Sequence, residues 1–181
     1  MKNIHISFCL FIWIAFSCSK EEVSKTTIYN QKANDLIFQT LKENNCKCIL
    51  EIPEESLVDI NNSENPGYDI KSKLKMQLNL KTDANLDSLL SVSKNFKLDS
   101  EKIKVNKIKI VSSKDIWNIK KGEDSHTLEL CKTGIFYIVK PIFNENYTKA
   151  AFDYGLAFSC VKLLPTPIYE FKKDKWIVSK N

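Results

Sequence analysis

Six cysteines carry most of the reactive chemistry in this 181-residue chain. Cys18 follows Ala15-Phe16-Ser17, with small residues three before and one before it. That is the arrangement a signal peptidase reads, because those side chains sit in shallow pockets. Cleavage before Cys18 is expected, so that Cys9 leaves with residues 1–17. The body keeps Cys46, Cys48, Cys131 and Cys160, an even number in an exported chain and therefore a candidate disulfide set. A Cys46–Cys48 bond would close a small strained ring. Three pairings are open, and Cys131 with Cys160 is the candidate pair, because both fall on expected strands that could be neighbours; inert buried thiols are the alternative to disulfides. A metal centre needs three or four ligands, and only His126 could join the cysteines, so no metal site is expected.

Catalytic constellations are sparse. His126 is the one histidine left after signal removal, in the loop-like run Glu123-Asp124-Ser125-His126, and no partner can be named for it. There is no Gly-x-Ser-x-Gly, no His-Glu-x-x-His and no Cys-x-x-Cys. Glu51, Glu54, Glu55, Asp153 and Glu170 leave a two-carboxylate hydrolase open, because its acid and nucleophile can lie anywhere in a chain. No catalytic residue is named on this basis, and the reading is a binding protein more than an enzyme. The formal charge is +5, but all 27 basic residues are lysine. Arginine is the usual fork for phosphates and base edges, so nucleic acid is not an expected partner. With four glycines there is no phosphate-cradling loop, and no cofactor is expected.

The N-terminal stretch decides where the body goes. Lys2 supplies a positive start, and the apolar run Phe8 to Phe16 falls far short of the roughly 20 residues needed to span a bilayer. With Cys18 at the cleavage point, this stretch resembles bacterial lipoprotein signals, in which the cysteine thiol is lipidated before cleavage. Ala15 and Phe16 depart from the usual Leu-Ala or Leu-Ser; ordinary secretory cleavage at the same bond is the rival, leaving Cys18 a free thiol. The following Ser19-Lys20-Glu21-Glu22 resembles the lysine-plus-acids export signal of surface lipoproteins of the Bacteroidota. The resemblance implies a palmitate-type lipid anchor on Cys18, a location at the outer membrane or the cell surface, and a membrane partner held through acyl chains. Each buried methylene contributes about 0.8 kcal/mol, so two or three chains hold the protein there durably.

The elements that would position this chemistry can be placed by periodicity. Residues 18–30 read as lipidated cysteine and short tether, and residues 31–181 as a single globular domain, since the length suits one core. Ala33, Leu36, Ile37 and Leu41 predict a helix from about Gln31 to Glu43, stopped at Asn44-Asn45. Cys46 to Ile52 predicts a short strand ended by Pro53, and Leu57 to Tyr68 a loop. Leu74, Met76, Leu78 and Leu80 alternate with polar residues, which predicts a strand with one face buried. Asp83 to Phe96 predicts a helix. Ile103 with Val105, then Ile108 with Ile110, predict strand halves whose phase flips at Asn106-Lys107, requiring a bulge or tight turn. Ser112 to Asp115 resembles a capping box opening a short helix through Ile119 to Gly122.

The last third, from Ile135 to Val178, predicts three or four antiparallel strands with a core of cross-strand aromatic pairs. Helical and strand periods are segregated, which argues for α+β: N-terminal helices packed on one face of a twisted, mainly antiparallel sheet with a C-terminal β-meander, and against a doubly wound parallel sheet. The run YIVKPIFNENYTKAAFDY with the closing KKDKWIV resembles an uncharacterised group of small Bacteroidota lipoproteins. Members carry a Cys-Gly-rich turn where this chain has Cys160 to Pro167. The resemblance implies no activity. The closing hairpin also resembles that of cone-shaped folds similar to nuclear transport factor. The expectation is a lipid-anchored binding or interaction module of the cell envelope, with an unknown protein or glycan partner. The alternatives are an envelope hydrolase, or an immunity-type or structural lipoprotein.

Overall fold

A computed structural model of the chain describes residues 25–64, 66–117, 129–152, 160 and 167–179. The expected signal segment, residues 1–17, together with Cys18, His126 and Asp153, lies outside the described residues. The fold is α+β, and among the described residues it has six helices and two sheets. The first helix, α1, covers residues 25–43. It then runs into β1 (Cys48–Leu50), followed by α2 (Leu57–Glu64), α3 (Ile70–Leu78), α4 (Asp83–Lys94) and α5 (Ser100–Asn106). After β2 (Lys109–Val111) and α6 (Ser113–Trp117) come β3 (Ile135–Phe136), β4 (Ile142–Phe143), β5 (Lys149–Ala151), β6 (Ile168–Lys172) and β7 (Lys175–Val178).

The C-terminal meander is present, β4 to β7 pairing antiparallel in sequence order. The tight turn between β6 and β7 places Lys173 and Asp174 at positive φ, 49° and 59°. That is the primed geometry whose twist matches the two flanking strands. The strand alternation sorts this sheet into two faces. Phe143, Ala150, Tyr169 and Trp176 join the core under α1, whereas Ile142, Ala151 and Ile168 join the core under α2, α3 and α4. Helices therefore cover both faces of the meander, not one. On the α1 face the aromatics pair as expected: Phe171 and Trp176 are opposite one another with ring centroids 5.0 Å apart, and Phe143 lies 5.5 Å from Trp176.

A second sheet was not expected. β1 lies between β2 and β3, and both pairings are parallel. The periodicities of β1 and β2 are too short to show pairing direction, and the helices intervening between them supply the crossover that parallel strands require. The apolar run Ile135–Val139 thus sends its first residues into this sheet, not into the meander.

Three segments differ from their periodicity. The alternating Leu74-Met76-Leu78 stretch is helix α3, with Ile70, Leu74 and Leu78 buried at four-residue spacing and Met76 73% exposed. Its ends decide this. The Asp69 carboxylate accepts from the Ser72 N–H, and Asn79 closes the helix at φ 58°. Ile103 and Val105 belong to α5, where Val105 is 79% exposed. The anticipated turn at Asn106-Lys107 is real, formed by Lys107 at φ 54° as the helix cap. Part of the expected loop after Leu57 is α2, opened by Ser56 and Asp59, which exchange hydrogen bonds as a capping box. α1 is already helical at residue 25, so residues 25–30 are helix where a tether was expected, and Tyr29 there is 2% exposed. The Ser112 hydroxyl does accept from the Lys114 N–H at the start of α6, but the expected continuation to Gly122 lies outside the described residues.

Candidate functional site

Beside the C-terminal end of β1 the surface opens into a cleft of about 640 Å³. Ile49 to Glu54 form one side, Ile110 of β2 another, and Phe96 and Leu98 of the α4–α5 loop a third, with Lys94 and Lys140 contributing charge. A position just beyond the carboxyl ends of parallel strands is where open sheets commonly leave room for a ligand.

Helix α1 holds this cleft in shape without lining it. Asn30 accepts from the Lys97 N–H at 2.6 Å, and one turn later Asn34 donates to the Lys97 carbonyl at 2.9 Å and accepts from the Asp99 N–H at 2.8 Å. Those bonds fix the backbone on either side of Leu98, so Phe96 and Leu98 are presented as a wall. Tyr29 stacks edge-on against Phe96 at 6.1 Å. Its hydroxyl donates to the Pro141 carbonyl at 2.7 Å, which anchors the residue after Lys140. Burial pushes the Tyr29 phenol well above its ordinary pKa, with a smaller push from Tyr147, so it serves as a donor.

Lys140 is the unusual group. It is 8% exposed, and its ammonium donates to the Glu54 carbonyl at 2.7 Å. Among the described residues no carboxylate pairs with it within 4 Å. Burial lowers its pKa, the Glu54 and Glu55 charges partly restore it, and Lys94 lowers it further. Buried ammonium groups usually have a counter-charge, because desolvation is costly. At the rim, the Glu51 carboxylate accepts from the Ser113 hydroxyl at 3.3 Å and from the Ser113 N–H at 3.4 Å, so it is turned toward the start of α6.

The cysteines pair differently from the expectation. Cys131 bonds to Cys48 and Cys160 to Cys46, with Cα separations of 6.2 and 5.6 Å. The Cys131–Cys160 bond is corrected. Parallel pairing sets Cys48 opposite Ile135, which brings Cys131 of the preceding turn within bonding reach of Cys48 and leaves Cys160 for Cys46. Of the carboxylates singled out in the sequence, Glu51 and Glu54 come together at the cleft. Glu170 is instead on β6, paired with Lys172 and the Ser179 hydroxyl, which hold its carboxyl below the ordinary range. Among the described residues no hydroxyl, thiol or imidazole side chain lines the cleft, and no group of three or more His, Cys, Asp or Glu side chains is placed to hold a metal ion. No helix of the described residues is long and apolar enough to cross a membrane.

Lys140 is not among the residues that the sequence singles out. A single lysine flanked on both sides by residues that are all buried, from Ile138 to Phe143, was the available signal. The α4–α5 wall left no such signal, because it depends on asparagines some 65 residues away. Compared with protein-family models, curated proteins and solved structures, the chain matches none.

Proposed function

We propose that this chain is a lipid-anchored protein of the cell envelope, tethered through Cys18, whose folded body is a binding module with the Lys140 cleft as its ligand site. The observation that best supports the envelope reading is the use of Cys46, Cys48, Cys131 and Cys160 in two disulfides, the chemistry of an oxidising compartment. That leaves Cys18 as the thiol available for acylation once Cys9 is removed with the signal. An apolar-walled cleft around a buried lysine that pairs with no carboxylate among the described residues supports binding of a small ligand. The resemblance to small lipoproteins of the Bacteroidota agrees with an outer-membrane location and adds no activity.

Cys18→Ser tests the anchor. The variant should accumulate as a precursor that keeps residues 1–17, and any processed form should leave the membrane fraction. Normal cleavage and secretion of Cys18→Ser, or wild-type protein recovered wholly as soluble periplasmic material, would remove the lipoprotein reading. A hydrolase built on Glu51 and Glu54 is the competing reading of the same cleft, and turnover of a bound ligand, followed by mass spectrometry, would replace binding with catalysis.

A further inference from the structure

We infer that the cleft takes a small amphipathic carboxylate, its single negative charge set against the Lys140 ammonium and its apolar body against Phe96, Leu98 and Ile110. This rests on the reading of the cleft as a binding site and names the class of ligand that fits it. Three features lead there.

The first is a cation with no carboxylate in contact among the described residues. Lys140 is almost fully enclosed, yet its ammonium has a main-chain carbonyl where a counter-ion would be expected. A carbonyl uses one of three N–H donors and carries no full negative charge, so the ammonium keeps donors to spare and is offset only by carboxylates beyond contact distance. A ligand carboxylate would supply both a counter-charge and a further acceptor in a site where such a pair is poorly screened. The second feature is the wall. Ile110 is 52% exposed on an edge strand, and Phe96 and Leu98 are only partly buried, so an apolar ligand body would take substantial hydrophobic surface out of water. The third feature sets the charge of the ligand at one. Glu51 and Glu54 also line the cleft, so a phosphate dianion would meet two carboxylates as well as the two lysines. There is no arginine in the chain to grip a phosphate with a planar fork. A monoanion avoids most of that repulsion, and a cationic ligand would meet Lys140 head-on.

The test uses the full lipidated chain in lipid nanodiscs, with empty nanodiscs as the blank, and four soluble probes that share one apolar body. These are 4-phenylbutanoate, 4-phenylbutan-1-ol, 4-phenylbutylamine and 4-phenylbutyl phosphate, each titrated by NMR. The carboxylate should bind at least tenfold more tightly than the other three. Lys140→Met should erase that preference while leaving the weak binding of the alcohol in place. Should Lys140→Met not fold, Lys94→Gln, on the exposed last turn of α4, should weaken the carboxylate alone by two- to fivefold. Equal or tighter binding of the alcohol, amine or phosphate, or a carboxylate preference that survives the lysine substitutions, would overturn the ligand class and leave the cleft as a binding site. Failure of all four probes to bind would take down the cleft reading as well.

Discussion

Removing the disulfides one pair at a time should reveal that they close nested loops. In the chain-entropy account, a cross-link stabilises by a constant plus a contribution that rises with the logarithm of loop length. Taken alone, the bond with 114-residue separation, Cys46–Cys160, and that with 83-residue separation, Cys48–Cys131, are worth about 4.8 and about 4.6 kcal/mol. Together they are worth less than the sum. Once either bond exists, the other closes only a circuit from Cys46 to Cys48 and from Cys131 to Cys160, roughly 31 residues, worth about 3.7 kcal/mol. Cys48→Ala with Cys131→Ala, or Cys46→Ala with Cys160→Ala, should each cost about 3.7 kcal/mol, and removal of the second pair about 1 kcal/mol more than that. The four-alanine variant loses about 8 kcal/mol, comparable to the whole stability of an ordinary domain, and should be largely unfolded. Guanidinium unfolding without reductant measures the series, with the denaturant slope rising as the unfolded chain is released. Peptide mapping of the oxidised protein assigns the pairs. Single-pair costs below about 1 kcal/mol, or costs that add without the excess at the second step, would refute the nested-loop reasoning.

Other substitutions separate the structure from its alternatives. In helix α3, Leu74→Ala should cost about 2–5 kcal/mol and Met76→Lys less than about 0.5, whereas a strand would put both on one face; thermal unfolding of the two variants measures the difference. The exposed edge of β7 is capped by Gln39, which donates to the Trp176 carbonyl at 2.6 Å and accepts from its N–H at 2.9 Å. Gln39→Leu should therefore cost about 1–3 kcal/mol and speed hydrogen exchange at Trp176. Asp59 is held below its ordinary pKa of 3.8, first by the Ser56 hydroxyl and then by the Ser56 N–H. A depressed folded-state pKa means that the unfolded chain takes up its proton first as the pH falls. The stabilisation is complete above the unfolded value and lost through the lower folded one. Asp59→Asn should flatten the stability profile below about pH 4, and Ser56→Ala should remove about 1 kcal/mol of capping at neutral pH.

Much of the fold was legible where one local signal sufficed. The stop of α1 at Asn44-Asn45, the helix over Asp83–Lys94 and the antiparallel β4–β7 meander follow from apolar spacing and turn residues. Leu74, Met76 and Leu78 misled because a leucine every fourth residue with one methionine between satisfies both a two-residue and a helical period. The caps at Asp69 and Asn79 resolve the ambiguity, and they were readable. The start of α1 was missed because Thr26, Thr27 and Asn30 look like linker chemistry; Tyr29 is drawn into the helix by its tertiary partners Phe96, Phe143 and Pro141.

What the sequence determined by itself was the class: local patterns give α1, α4 and the meander, and how many cysteines await partners after the expected cleavage before Cys18. What only the tertiary structure decided was adjacency. Parallel pairing of β1 with β2 and β3 joins segments dozens of residues apart, and it assigns Cys48 to Cys131 and leaves Cys46 for Cys160. The same long-range contacts bury Lys140 beside the Glu54 carbonyl and set Phe96 and Leu98 across from it. Disulfide choice has no local signature and the burial of Lys140 only a faint one, because both depend on which surfaces meet, and that is settled by packing the whole core at once.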